Sequence, residues 1–589
     1  MSYNNIPAYP VYVDAGKSIG PLETWRLCIG IGGINAIPAE DAVGDAGFKA
    51  VQALRLPLVR IFMQQYLDPL KISSGSDVGS SSGGDDFNGC GDGGGGSGDG
   101  SVSSSSYDWS KMDAYVHSAA KLGNVMAAFC LKPAALFGEK DQTVIYPPDK
   151  DAFAEYITAI AARYDGVITH WEVGNETDIG ENGGCPLLIK DDDEYNEYYR
   201  FVASALHRGS SKAKVGGSAI ANAAAGSQLA SLIAYCRAGN APLDIVSWHI
   251  YNSDPEEHAA LVRKYAALLH DWPGGERPIM AVTEWACDFP SETGAVVETA
   301  DESWRSAAFF AAACRYLDEG LDYSFFYHLY DCTLYHDDFE PFFEDPQIMD
   351  KHWNQVPHRF GMFAHDGSAR PHYQLWRMLR TIGGDNACRG YARGDNAYRG
   401  SARRGNAYRG SARRGNTDKD GACINDIDKN GADSTTSDAC DAAARLAVQC
   451  EYPGFITLAG CSSIPDSNCN ADSNTAATCG SNAAATCDSN AAATCTSDTA
   501  PARASFSLII ANFNTRETRP AIADVWFKNL EPGVYDTVTE LLNGRENLSR
   551  DGLSLEPIDR RDISTIGEWR CPTYLPPGAV AKITIIKRL

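Results

Sequence analysis

At 589 residues the chain exceeds one ordinary domain, and its apolar content of 44% can support a full core. A net charge of −25 argues against general nucleic-acid binding and for a self-repelling surface. No run approaches the ~20 apolar residues of a membrane span, and Met1 to Pro7 lacks the basic and apolar regions of a leader peptide, so no membrane contact and a cytoplasmic location are expected.

In chain order, Val11-Tyr12-Val13 reads as a short strand outside the main repeat. Leu27 to Gly33 is a strand running into glycines; no Lys-Ser/Thr follows and the spacing fits no nucleotide fingerprint, so close backbone packing at a barrel strand is preferred to a phosphate loop. Leu58 to Met63 is the next strand. Residues 73–106, almost all Ser, Gly and Asp, form a flexible insertion without the apolar content for a core. Asp108 caps a helix that ends at Gly123, and Val125 to Phe129 is a strand. Phe153, Tyr156, Ile157, Ile160, Ala161 and Tyr164 share one helical face ahead of a strand from Val167. Helices near Glu194–His207, Leu229–Ala238, His258–His270, Trp304–Leu317 and Tyr373–Leu379 then alternate with strands at Val215–Ile220, Asp244–Tyr251, Pro278–Trp285 and Tyr323–His328. Eight strand–helix units predict an α/β fold, a (β/α)8 TIM barrel, over residues 1–383.

Residues 384–440 are a low-complexity linker whose ten-residue Arg/Tyr pattern is read as repeat expansion rather than as an RNA-binding arm. Residues 441–589 turn to alternating strands (446–448, 455–458, 506–510, 522–527, 534–538 and 580–586) and predict a C-terminal β-sandwich. A Cys-bearing repeat at 463–503 interrupts it as a loop insertion; its even spacing without histidine does not suit metal binding. The 18 cysteines form no disulfide framework, and Cys28, Cys130, Cys236 and Cys314 sit in core-like runs as buried thiols.

Two strands share a design. His170-Trp171-Glu172-Val173-Gly174-Asn175-Glu176 ends the fourth strand in a carboxylate, and Ala281-Val282-Thr283-Glu284-Trp285 ends the seventh in another. In a barrel, C-terminal strand ends converge on one face, so Glu176 and Glu284 are predicted to meet in one bowl. A single glutamate there is more often structural; two in such settings are what glycosidic bond cleavage requires. Trp248, Trp285, Tyr327 and Tyr330 are candidate sugar-stacking walls, with core packing as the competing reading. His249 and His328 are candidate hydroxyl ligands. His328, Asp331, Cys332 and His336 superficially resemble a metal set, but they fall on one loop and the chemistry needs no metal, so no metal and no cofactor are expected.

These motifs, with Asp244-Ile245-Val246-Ser247-Trp248-His249-Ile250-Tyr251 and Phe363-Ala364-His365-Asp366-Gly367-Ser368-Ala369-Arg370-Pro371, resemble the clan of retaining glycoside hydrolases with glutamates on strands 4 and 7, and most of all glycoside hydrolase family 39, the β-xylosidase and iduronidase family. That family usually reads Trp-Asn-Glu-Pro where this chain has Gly174-Asn175-Glu176-Thr177; Gly-Asn-Glu is commoner in families 51 and 79. The resemblance implies Glu176 as general acid/base, Glu284 as nucleophile held by Tyr251 or Arg60, and Asn175 on the sugar 2-OH. It implies a carbohydrate substrate, most of all short β-xylosides. An arabinofuranosidase, glucuronidase or endo-acting hydrolase, or a non-catalytic carbohydrate-binding barrel, remains as alternative. The sequence leaves open whether the protein is a homo-oligomer.

Overall fold

The computed structural model describes residues 6–32, 39–70, 107–287, 302–331, 336–349, 361–382, 443–450, 452–461, 504–515 and 518–588. The Ser/Gly insertion 73–106, the linker 384–440 and the insertion 463–503 lie outside these residues.

The chain begins with β1 (Ala8–Pro21), and then a closed parallel barrel forms from β2 (Leu27–Gly30), β3 (Leu58–Met63), β4 (Asn124–Phe129), β5 (Ile168–Val173), β6 (Lys214–Ile220), β7 (Ile245–Tyr251), β8 (Ile279–Ala286) and β9 (Tyr323–Phe326). All six residues of β3 are buried, as both faces of a parallel strand must be when helices cover the outside. The helices are α1 (Ala39–Ala53), α2 (Ser110–Ala120), α3 (Ala134–Phe137), α4 (Lys150–Arg163), α5 (Asp192–Gly209), α6 (Gln228–Arg237), α7 (Pro255–Leu268), α8 (Glu302–Glu319), α9 (His336–Phe339) and α10 (Pro371–Thr381). Their starts are written in the sequence. Asp149, Asp191 and Asp254 each accept backbone N–H groups of the first turn, and Pro255 opens α7 where no N–H is needed. Asp108 accepts the Ser110 N–H at 3.1 Å from just ahead of α2. Tyr156, Ile157 and Ile160 of α4 are wholly buried, as the spacing predicts.

The second body is a nine-stranded, mostly antiparallel sheet that fits a β-sandwich: β10 (Ala444–Cys450), β11 (Phe455–Cys461), β12 (Ser505–Asn512), β13 (Ala521–Lys528), β14 (Gly533–Leu542), β15 (Asp559–Thr565), β16 (Glu568–Leu575) and β17 (Val580–Lys587), joined by β1. The expected barrel region began at residue 1, but Ala8–Pro21 pairs with β10 and β13 instead. Val11, Val13 and Ala15 alternate inward and join the apolar core of that sheet, which residues of the C-terminal strands otherwise fill. Two strands absent from the expectation, β15 and β16, are the two edges of the sheet. The first reads Asp-Arg-Arg-Asp and is largely exposed, the charged composition that keeps an edge from pairing further.

The sheet rests on the barrel. Leu458, Ile509, Phe513, Leu542 and Val580 share one apolar core with the barrel helices, and the Gln374 side chain of α10 donates to the Gly552 carbonyl at 2.7 Å. Cys28, Cys130, Cys236 and Cys314 are free thiols, and all four are buried. No helix among the described residues is long and apolar enough to cross a membrane.

Candidate active site

The polar residues of the barrel mouth come from four strands. Arg60 lies in β3, Glu172 in β5, His249 and Tyr251 in β7 and Glu284 in β8, while Asn175 and Glu176 follow β5. His249 and Glu284 are register partners across the β7–β8 pair, which sets them side by side. The turn after β5 is tight. Gly174 has φ +87° and Glu176 φ +47°, a conformation rare for a residue with a Cβ. Backbone bonds hold Glu176 there: its N–H donates to Ala219 at 2.9 Å, and its carbonyl accepts from Ile179 and Gly180, each at 2.9 Å.

One oxygen of Glu176, one of Glu284 and a ring nitrogen of His249 lie within 4.8 Å of one another, all buried. His249 Nδ1 is 2.7 Å from Glu176 Oε1 and 3.7 Å from Glu284 Oε2. Arg60 Nη1 donates to Glu284 Oε1 at 2.8 Å, and Nη2 donates to Asn175 Oδ1 at 2.7 Å. The Tyr251 hydroxyl donates to Glu284 Oε2 at 2.5 Å.

These contacts make two unlike carboxyls. Burial, then the negative charge of Glu284, drives the Glu176 carboxyl well above the usual glutamate range. Burial raises Glu284 too, but the Arg60 cation and the Tyr251 hydroxyl favour its charged form. Of the two, Glu176 has the setting that more favours the protonated form. His249 is pushed well below its ordinary value by burial and by Arg60, so its ring is neutral at physiological pH. Tyr251 is pushed well up by burial and by Glu284, so it stays a phenol that donates.

A cation could in geometry share the Glu176, His249 and Glu284 donors. The guanidinium of Arg60, 2.8 Å from Glu284, already supplies positive charge there and would repel it. Of the other metal-like set, Asp331 is taken by Arg370 at 2.5 Å and by the Gly361 N–H at 2.8 Å, and Cys332 lies outside the described residues.

The structure brings Glu176, Glu284, Asn175, Arg60, His249 and Tyr251 together. It does not bring Trp285. That ring is wholly buried on the outside of the barrel wall, between Phe309 and Tyr316 of α8, His258 of α7 and Trp376 of α10. Alternation along β8 explains it: Glu284 points in, so its neighbour points out. Trp248 likewise packs against Tyr265 of α7, with ring centroids 4.7 Å apart. Tyr330 is buried beside the lead-in to α10, bridged to Phe363. Tyr327 stands edge-on to Tyr251 at 6.1 Å and so borders the site. His328 sits over Gly32, where an added Cβ would come 2.3 Å from the His328 Cβ. This contact is the close packing that the glycine-ended first barrel strand calls for.

Two contributors were not singled out from the sequence. Gly183 closes over Glu176: a Cβ there would be 2.4 Å from the Glu176 Cβ and from its Oε2. The Gly183 carbonyl accepts from Asn175 Nδ2 at 3.0 Å, and the next carbonyl, of Gly184, accepts from Gln64 Nε2 at 2.5 Å. Glu172 is the other, and period-two alternation back from Glu176 through Gly174 points to it.

The sequence model of Glycosyl hydrolases family 39 matches residues 168–389, the stretch that holds both glutamates. No curated protein matches the chain. Among solved structures, the chain is similar to a family 39 enzyme from Xanthomonas axonopodis pv. citri (12% identity, 99% of this chain and 98% of that one, TM-score 0.60). It is also similar to a monomeric β-xylosidase from Caulobacter crescentus CB15 (14%, 99% and 100%, 0.59) and to a glucosidase from Croceicoccus marinus (16%, 99% and 99%, 0.58). At these identities the likeness carries the fold alone.

Proposed function

We propose that the chain is a glycoside hydrolase of the family 39 type that cleaves short glycosides, most of all β-xylosides, with retention of configuration. The observation that carries the reading is the pair Glu176 and Glu284, with carboxyl oxygens within 4.8 Å. Retaining enzymes hold their two carboxyls about 5–5.5 Å apart, and inverting ones about 6.5–9.5 Å, to leave room for a water.

The unequal settings support the following division of parts. Glu176, which keeps the proton, donates it to the leaving glycosidic oxygen. Glu284, ionised and steadied by Arg60 and Tyr251, attacks the anomeric carbon and forms a covalent glycosyl-enzyme. Glu176, now a carboxylate, takes a proton from water, which attacks the same carbon and releases Glu284. Asn175, held by Arg60 and Gly183, is placed to meet the sugar 2-OH, and His249, bonded to Glu176, keeps that carboxyl aimed across the cleft.

The xyloside preference draws on the likeness to the Caulobacter crescentus β-xylosidase. An arabinofuranosidase-type specificity is the second reading. Gly174 favours it, because at φ +87° with Thr177 Cγ2 only 2.9 Å from an added Cβ, this position has no space for the tryptophan usual in family 39. A panel of aryl β-xylosides, α-L-arabinofuranosides and β-glucuronides separates the two. Proton NMR of the first-formed sugar tests the mechanism: the retained anomer is expected, and the inverted anomer overturns the assignment of Glu284 as nucleophile.

A further inference from the structure

Glu172 lies four residues before Glu176, is 0% exposed, and has no part in the chemistry described so far. Its Oε2 accepts from Arg60 Nε at 2.8 Å and pairs with Nη2 at 2.6 Å. Its Oε1 has no hydrogen-bond partner among the described residues. Arg60, itself 1% exposed, rests over the Phe62 ring at 4.7 Å and spends its remaining reach on Glu284 and Asn175.

We propose that Glu172 is a positioning residue of the hydrolytic site: it grips the Nε–Nη2 edge of the Arg60 guanidinium, which holds Nη1 against Glu284 and keeps Nη2 in reach of Asn175. Its charge also offsets a cation that Glu284 would otherwise face alone. The proposal rests on the functional reading above.

Three observations support it. A barrel interior is normally filled with branched apolar side chains, and a buried ion pair adds little stability over such packing. One guanidinium here carries two buried carboxylates, an excess that the fold does not need. The guanidinium is planar with donors in a fixed fork, so anchoring Nε and Nη2 fixes where Nη1 points. A nucleophile must be ionised yet still basic enough to attack; sharing its counter-ion keeps both properties. The charged and titratable groups around this cluster are Arg60 of β3, Glu172, Glu176 and Asp178 of β5 and the turn after it, His249 and Tyr251 of β7, Glu284 of β8, and Tyr327 beside Tyr251. Cys130 and Cys185 lie beside Arg60 or Glu176, and Tyr195 of α5 lies behind Glu172.

The test uses Glu172→Gln, which still accepts from Arg60 without the charge, and Glu172→Asp, which keeps the charge one methylene short. The readouts are kcat, KM, the pH profile of kcat/KM and the melting temperature, on the aryl glycoside that the wild type cleaves fastest. With Gln, removing a negative charge near Glu284 makes its ionisation easier, so the acidic limb moves to lower pH, and kcat falls about tenfold with KM nearly constant. With Asp, the limb returns to its wild-type position, while kcat falls on the order of 100-fold because the guanidinium shifts. Wild-type kcat and limb in both variants, or a loss of activity that only follows the loss of folded protein, overturns the proposal. A wild type that cleaves no glycoside overturns the functional reading itself, whatever Glu172 does.

Discussion

The turn after β5 and the end of β8 each present one glutamate to the same cleft, and they do so by opposite means. Glu284 sits within a regular strand, in register with His249, and its charge is met by a cation and a phenol. Glu176 lies three residues beyond its strand, at φ +47°, and its carboxyl is met by a neutral imidazole and by a glycine pressed against it. Local electrostatics therefore separate the two groups, and each is maintained by different residues. On the proposed reading one strand end keeps a charge and the other a proton, so changes on the two sides should have different signatures.

The largest effect comes from removing the carboxyls. Glu284→Ala is expected to cut kcat on the order of 10⁴-fold or more for every substrate. Glu176→Ala is expected to cost roughly 10²- to 10⁴-fold, and least for glycosides whose leaving group needs no proton. Azide should restore turnover in Glu176→Ala through a glycosyl azide of retained configuration. Equal losses for good and poor leaving groups would show that Glu176 is not the acid. Next in size is Tyr251→Phe, which removes one of the two donors to Glu284 and is expected to lower kcat roughly 100-fold. A donor to a carboxylate favours its ionised form, so removing it raises the Glu284 pKa and moves the acidic limb of kcat/KM to higher pH. That is the opposite direction from Glu172→Gln. A limb that stays in place removes Tyr251 from the account of Glu284.

Much of this was legible before any coordinates. The barrel follows from the alternation of apolar strands and amphipathic helices, and the meeting of Glu176 with Glu284 follows from where such strands end. Aspartates ahead of α4, α5 and α7 mark their starts through a local bond that needs no tertiary context. What was missed depended on long-range pairing. Val11-Tyr12-Val13 carries a strand pattern, but nothing local says that its partners are β10 and β13, hundreds of residues away. The edge strand β15, Asp559–Thr565, is largely charged and exposed and carries no apolar stripe for a period-two reading to find. Trp285 was readable from alternation alone, since a residue next to an inward glutamate faces the helices. Gly183 was not, because its contact with Glu176 depends on how the 177–184 loop folds back.

That loop gives a smaller effect on the proton-keeping side. Gly183→Ala would set a methyl 2.4 Å from Glu176, and the carboxyl must move away. We expect kcat to fall about tenfold with little change in melting temperature, because the loop itself is not a core element. A methyl accommodated without loss would mean that the Glu176 side chain has freedom the turn does not suggest.

The smallest effect on turnover belongs to Trp285→Phe. The ring fills space between β8 and helices α7, α8 and α10, and its indole N–H has no hydrogen-bond partner among the described residues, so phenylalanine forfeits packing alone. The expected cost is about 1–3 kcal/mol of stability, seen as an earlier denaturation midpoint, with KM for the aryl glycoside unchanged. A stacking platform would behave in reverse, with KM rising several-fold and stability intact. Because Trp285 is bonded in sequence to Glu284, this substitution asks whether a strand can carry a reactive side chain on one face while the other answers only to the core, and an unchanged KM beside a lowered midpoint is the outcome that alternation requires.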